Sequence, residues 1–476
     1  MSNIMPHEMS EHNGRPSADA VESVSIETLP NEILSQIFGY LDTLPPSYSI
    51  EALHDEPKPD ITSSDDHPLK SSSLVSERWR EISKPVLFKH AQFIVRKHPS
   101  GRVTLSQQIK PFLDFVSSNS LHAIRSFTLL SHECGVTDDP QGEYRLNNPA
   151  NFWFSLFQVI DPIDLLIVAA PEALGALTSC RVYLTEAWNF DCPCHYLRLQ
   201  RKTEASTVRL GAAVPDKALN VTSDSQADGL MDNTSANLSS STSSGQGSLR
   251  NHHSNASALF AIRPWDKLLL NEGSFIKAYA TYEFWLRKAP SVNLIGSATP
   301  TDKAQISPTI RDMSYIAMFP MCNHFADLTE NLPRLDRLYC QLVPRNEILS
   351  DPRKMVQVES EDLWMERNAS YAALMRELFN SPPSNNYQHL KIFESGDAAD
   401  RAAWGMAVEY VKRAGNGWKV GGDGVFVRKQ EDIKPSEGET EEQPTTFHGS
   451  LIRWAWNGTA ELPVSAYPLY DHPMGP

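Results

Sequence analysis

The sequence predicts a mixed α/β chain: a small all-α module near the N-terminus, then an irregular α/β solenoid with a disordered insertion. Three observations carry this reading. Two amphipathic helical stripes lie within residues 25–95, short apolar strand segments alternate with helical ones from 96 to 429, and a Ser/Asn/Thr/Gly/Asp tract fills 203–257. The whole-chain hydrophobic fraction of 41% falls slightly below the globular range, so part of the chain must dilute an ordinary core. The tract supplies that dilution.

The segments follow in order. Residues 1–24 are polar, have no apolar run of signal-peptide type, and read as a disordered leader. Residues 25–95 read as a helical module, with a long internal loop at 42–73 rich in Pro, Asp and Ser. Residues 96–429 read as one folded region. Its strand candidates are Ile124 to Leu130, Leu177 to Leu184, Val292 to Ile295, Leu335 to Leu342 and Leu390 to Phe393. Ser274 and Ser360 stand where helix caps belong, and Gly415 where a helix ends. GWKVGGDGVFVRK reads as a hairpin turning at Gly421 to Gly424. The phrases LGALTSCRVYL, LPRLDRLYC and YQHLKIFES share a leucine-rich cadence, without the asparagine ladder of a regular repeat. They predict a degenerate leucine-rich-repeat-like solenoid, with an ordinary α/β domain as the alternative. An acidic linker at 430–446 and an apolar tail at 447–476 close the chain.

The insertion is too poor in apolar residues to offset its ordering entropy. Deleting 203–257 is therefore expected to leave the thermal unfolding midpoint almost unchanged; a large drop on calorimetry would show that it packs.

Within the module, Ile33, Leu34, Ile37, Phe38 and Leu41 fall at helical spacing and form one apolar stripe. Thr28 is placed to cap that helix and Pro30 to sit in its first turn. A second stripe holds Leu74, Val75, Trp79 and Ile82, with Pro85 expected to stop it. Two such short helices bury too little to stand alone, so they require a third helix or a partner.

The pattern Leu29-Pro30-x-Glu32-Ile33-Leu34-x-x-Ile37-Phe38-x-x-Leu41, followed by Leu74-Val75-Ser76-x-x-Trp79-Arg80, resembles an F-box. Phrases beyond it, among them NEGSFIKAYATYEFWL and FESGDAADRAAW, resemble F-box proteins of filamentous fungi. The resemblance implies three short helices that pack on a Skp-type adaptor, which bridges to a cullin-RING scaffold. It implies Leu29, Pro30, Ile33, Leu34, Ile37, Phe38, Leu41, Leu74, Val75, Trp79 and Ile82 as adaptor-binding residues. It further implies a non-catalytic subunit that presents an unidentified protein substrate through its C-terminal region. A non-ligase scaffold on the same adaptor and an enzyme domain fused to an F-box are the alternatives. The connection at 42–73 is longer than the family's usual one, although loop closure costs only about 0.6 kcal/mol per doubling of length.

Other chemistries find little support. A net charge of −15 argues against nucleic acid as a partner, and the best local basic group, Arg198, Arg201 and Lys202, reads as a solvated edge. The apolar run Leu165 to Ala170 is far short of the roughly 20 residues a membrane helix needs. Six scattered cysteines without an export signal suit a reducing cytoplasmic or nuclear setting. Cys192-Pro193-Cys194-His195, even with Cys180 nearby, lacks the second ligand pair of a structural zinc site. Cys322 and His324 match such a site no better. No phosphate loop, nucleophile elbow or zincin helix is present in the sequence, so no catalytic residue, metal or cofactor is expected. Asp397 and Asp400 precede a helix and read as capping residues.

Overall fold

The computed structural model describes residues 25–44, 46–61, 67–96, 105–121, 124–131, 149–179, 194–202, 258–274, 294–295, 304–343, 352–355, 359–379, 387–415 and 417–429. The leader, the 203–257 insertion, the acidic linker, the tail and the helix expected after Ser274 lie outside the described residues. The chain divides into two compact units, one of residues 1–43 and 66–87, the other of residues 44–65 and 88–476.

The first unit holds α1 (Asn31–Tyr40), α3 (Pro68–Ser72) and α4 (Glu77–Leu87); α2 (Ile50–His54) belongs to the second. Leu34, Phe38 and Leu69 are buried, with Leu29, Leu41, Trp79, Ile82, Val86 and Leu87 packed around them. The Trp79 ring meets Phe38 edge-on at 5.2 Å. Thr28 does not cap α1: its hydroxyl donates to the Ser25 carbonyl at 2.7 Å, and Pro30 takes the cap position. Ser76 caps α4, accepting from the Trp79 amide at 3.2 Å. Pro85 does not stop this helix. It lies two residues from the end and forfeits one backbone bond without breaking the turn before it.

The second unit is a mixed α/β body built on a ten-stranded sheet in the order β1-β2-β3-β4-β5-β6-β7-β8-β10-β9. The strands are β1 His90–Val95, β2 Ser126–Ser131, β3 Asp164–Ala169, β4 His195–Gln200, β5 Lys267–Ser274, β6 Asp312–Met318, β7 Arg337–Gln341, β8 Ile392–Ser395, β9 Trp418–Gly422 and β10 Val425–Arg428. Up to β8 every strand lies beside its neighbours in sequence. The pairs are parallel except that β4 runs against both β3 and β5. The hairpin turns at Asp423-Gly424, where Gly424 has φ +69° and L-residues other than Asn or Asp are strained.

Strand residues alternate between two faces. One carries Leu129, Ile167, Leu197, Leu270, Tyr315, Leu338 and Phe393, buried under the helices. These are α5 (Leu105–Ser118), α6 (Pro149–Val159), α7 (Pro171–Leu177) and the helices Cys322–Glu330, Ser360–Phe379 and Arg401–Ala414. The other face carries Leu130, Leu166, Val168, Tyr196, Leu269, Ile316 and Tyr339.

Leu177 ends α7 rather than starting a strand, and Ser179 follows at φ +62°. Leu294 and Ile295 are buried but lie in no strand. Ser274 ends β5. Arg198 is not a solvated edge: its guanidinium forms a two-point pair with Asp164, both buried, while Arg201 and Lys202 pair with Asp161 and Asp266 at 3.0 Å each. The strands at 335–342 and 390–393 and the final hairpin are where the sequence places them, whereas β3, β5 and β6 give little signal because a strand buried on both faces reads as a short apolar run without alternation.

Candidate functional site

The helical unit sorts the family-implied residues by depth. Leu34 and Phe38 are 0% and 1% exposed and form the unit's own core. Leu29, Leu41, Trp79 and Ile82 are half-buried against it. Ile33 is 41% exposed, Val75 60% and Leu74 71%, and Pro30 is also exposed. Ile37 is half-buried, and Tyr40, which sequence reasoning missed, is 90% exposed. Ile33, Ile37 and Tyr40 fall at i, i+4 and i+7, so α1 carries an outer apolar flank beside its buried one.

Arg78 stiffens this arrangement. Its guanidinium donates to the backbone carbonyls of Glu27 and Leu29 and, at 2.8 and 3.0 Å, to Asn31 Oδ1. One side chain of α4 thereby fixes the turn that launches α1, placing Leu29 and Pro30. Nothing in the motif Leu-Val-Ser-x-x-Trp-Arg predicted this role for its variable position.

The sheet unit holds a second feature. Residues 46–61, expected as part of a loop in the helical module, belong to the sheet unit and lie on the face opposite the helices. Leu53 and Ile61 are buried there beside Leu130, Leu166, Val168, Leu269 and Ile316. The His54 ring stacks on Tyr339 with centroids 4.4 Å apart. Tyr48 meets His90 edge-on at 5.1 Å, and the Arg198 guanidinium lies 5.3 Å from its ring centre. Burying Leu53 and Ile61 contributes about 1.5–3 kcal/mol each.

Polar side chains of the sheet hold the main chain of this strap. Asn271 Nδ2 donates to the carbonyls of Leu53 at 2.9 Å and Asp55 at 2.8 Å, and its Oδ1 accepts from the Gly273 amide at 3.0 Å. Gln341 Nε2 donates to the His54 carbonyl at 3.3 Å. Tyr196 accepts from the Lys58 amide and donates to the Lys58 carbonyl, the latter at 2.9 Å. Gly396 lets Tyr339 and Gln341 reach their places, since a Cβ there would stand 2.2 Å from the Tyr339 hydroxyl.

Two buried polar clusters lie elsewhere in the unit. Tyr315 donates to Glu272 Oε2 at 2.8 Å, and His324 Nε2 is 3.6 Å from the same oxygen. Burial alone would raise the Glu272 carboxyl, but His324, His195 and the Tyr315 hydroxyl hold it below the usual range. His195 is fully buried, and desolvation lowers its pKa from 6.5 to about 4 against the opposing pull of Glu272. A folded-state pKa below the unfolded one means the unfolded chain takes up a proton first as pH falls. Stability from a neutral His195 is thus present above pH 6.5 and lost through pH 4, a loss of about 3 kcal/mol at 1.36 kcal/mol per unit. His195→Leu is expected to flatten the fall of the unfolding midpoint between pH 6.5 and 4; an unaltered slope would contradict this.

In the second cluster, Asp397 accepts from the amides of Leu342 at 2.7 Å and Val343 at 3.0 Å and from the Tyr371 hydroxyl. Its carboxyl is pushed up to about 6 by burial, with Tyr371 opposing. Asp397 therefore ties β7 to β8 rather than capping the following helix. Asp400 is the cap, accepting from the Ala403 amide at 3.1 Å. The adjoining cavity, lined by Arg367, Tyr371, Asp397 and Trp404, is about 30 Å³, room for small solvent molecules only.

Cys194 and His195 are consecutive and project to opposite faces, Cys194 beside Tyr196 and His195 toward Glu272, so they cannot share one metal ion. Cys192 lies outside the described residues. Cys322 opens the Cys322–Glu330 helix, and burial pushes its thiol up to about 11. Among the described residues, no group of three or more His, Cys, Asp or Glu is placed to hold a metal ion. None of the helices described is long and apolar enough to cross a membrane. Compared with known proteins, the chain matches no family model, no curated protein and no solved structure.

Proposed function

We propose that this chain is the substrate-receptor subunit of a Skp–Cullin–F-box ubiquitin ligase, acting by proximity and without catalytic chemistry of its own. The observation that carries the reading is the split of the two-part motif. Leu34, Phe38, Leu69 and Trp79 close a small core, while Ile33, Ile37, Tyr40, Leu74 and Val75 are left outside it to different degrees. A core so small gains from a partner, and the outer residues are of the type a partner helix would cover. Covering five such side chains contributes on the order of 8–15 kcal/mol, at about 1.5–3 kcal/mol each. Lost translational and rotational freedom costs about 4–15 kcal/mol, so binding needs both the α1 flank and the Leu74-Val75 pair.

The sheet unit is read as a degenerate leucine-rich-repeat-like solenoid that holds the protein substrate. The sequential strand order and the helices packed on one face support that reading. The reversed β4 and the missing asparagine ladder make it an irregular member. The setting is the cytoplasm or nucleus, and ubiquitin transfer falls to a separate conjugating enzyme brought close by the scaffold.

The test is affinity purification with mass spectrometry of the full chain against an Ile33→Asp/Val75→Asp variant. Full-length variants are preferred to a 25–95 deletion because 46–61 and β1 belong to the sheet unit. Adaptor and cullin are expected with the wild type and absent with the variant. Adaptor without cullin would favour the scaffold alternative, and recovery of neither adaptor nor cullin with the wild type would overturn the reading.

A further inference from the structure

We propose that the sheet face opposite the helices is a peptide-binding site, occupied in cis by residues 46–61. Its ligand in trans is a proline-containing peptide with the pattern Leu-His-x-x-Pro-x-x-x-Ile. The inference deepens the receptor reading by naming the substrate class, but its test involves no adaptor, so the two can fail separately.

The sheet does not need the strap for its backbone. From β2 to β7 each strand pairs with a strand on both sides, and none of these pairings includes residues 46–61. The strap sits on the face and adds no strand.

The contacts from the sheet are aimed at main chain. Asn271, Gln341 and Tyr196 direct side-chain hydrogen bonds at the main chain of residues 53, 54, 55 and 58. Asn271 is fully buried and has its amide committed to two strap carbonyls and the Gly273 amide of its own strand. A bare face would strand these groups, and burying polar groups without partners is costly. Main-chain contacts supply affinity for any peptide of the right shape, and the seats of Leu53, His54, Pro57 and Ile61 select its sequence.

The layer over this face is thin. Ser49, Ile50, Glu51, Asp55, Lys58 and Asp60 are exposed, so the strap is one chain thick and held by few anchors. Segments with few buried apolar contacts open locally, well below the cost of global unfolding. A ligand for the face meets a site whose competent fraction is set by that opening.

The experiment uses the full chain and a fluorescently labelled peptide of residues 46–61. In the Leu53→Glu/Ile61→Glu variant the strap is released in cis. This variant is expected to bind the peptide at least about tenfold more tightly than the wild type, whose site is already filled. Adding Asn271→Ala to the released variant is expected to remove that binding. A released variant that keeps its near-ultraviolet dichroism and unfolding midpoint but takes up no peptide would overturn the proposal. Binding indifferent to Asn271→Ala would overturn it too. Should the released variant lose its fold, native-state hydrogen exchange of the wild type decides. Exchange of the Leu53 and Lys58 amides about 100-fold or more faster than those of β2, β3 and β6 supports a displaceable strap. Equal protection would make the strap a permanent part of the core.

Discussion

Replacing Phe38 by alanine is expected to unfold the helical module while leaving the sheet unit folded. Phe38 is 1% exposed and, among the described residues, shares its core with two other buried apolar residues, Leu34 and Leu69. A buried Phe→Ala change costs about 3–5 kcal/mol. That is comparable with the whole stability a core of this size supplies. The Trp79 ring loses its edge-on neighbour in the same step. Hydrogen exchange read by mass spectrometry should show residues 29–41 and 67–87 losing protection while β2, β3 and β6 keep theirs. Retained protection in α1 would mean that this core is not what holds the helices.

Arg198→Ala is expected to destabilise the sheet unit by about 3–5 kcal/mol, the cost of leaving one member of a buried ion pair alone. Asp164 and Arg198 are both buried, and Gln200 Nε2, 2.7 Å from Asp164 Oδ2, is the carboxylate's other side-chain partner among the contacts described. The double change Asp164→Leu/Arg198→Leu should recover most of the loss, because two apolar groups need no pairing. Denaturant unfolding of the three proteins measures both statements. A single-variant cost below about 1 kcal/mol would be the behaviour of an exposed pair.

The elements with strong local signals were legible in the sequence. The α1 stripe, the 360–379 helix, its neighbour before Gly415 and the final hairpin are where periodicity and turn chemistry placed them, whereas the Trp79 helix begins only at Glu77 and leaves Leu74 and Val75 of the expected stripe in the turn before it. Periodicity did not sort the stripe by depth. Ile33, Leu34, Ile37 and Phe38 all lie on one half of a helix, and only packing tells which adjacent pair turns inward. The strands β3, β5 and β6 were missed because buried strands lose their alternation, and β4 because its HYLRLQ hides a buried ion pair behind an ordinary arginine.

The strap at 46–61 was the largest omission. A segment rich in Pro, Asp and Ser reads as loop, and four anchors spread over nine positions make no period. The one available signal was the presence of Tyr48, Leu53 and Ile61 in an otherwise polar stretch. Asp397 was misplaced for a different reason: an acid before a helix is usually a cap, and only the tertiary structure brings the Leu342 and Val343 amides to it.

We propose that the outer face of the helical module docks on a Skp-type adaptor. Calorimetric titration of purified adaptor into the full chain tests it most directly, with Ile33→Asp/Val75→Asp as the comparison. Both positions are exposed, so the variant should keep the wild-type unfolding midpoint. The expected result is a saturable one-to-one heat with the wild type and at least about a hundredfold weaker binding with the variant, from two lost anchors at about 1.5–3 kcal/mol each. Equal affinity in the two proteins, or no heat with either, would contradict the account.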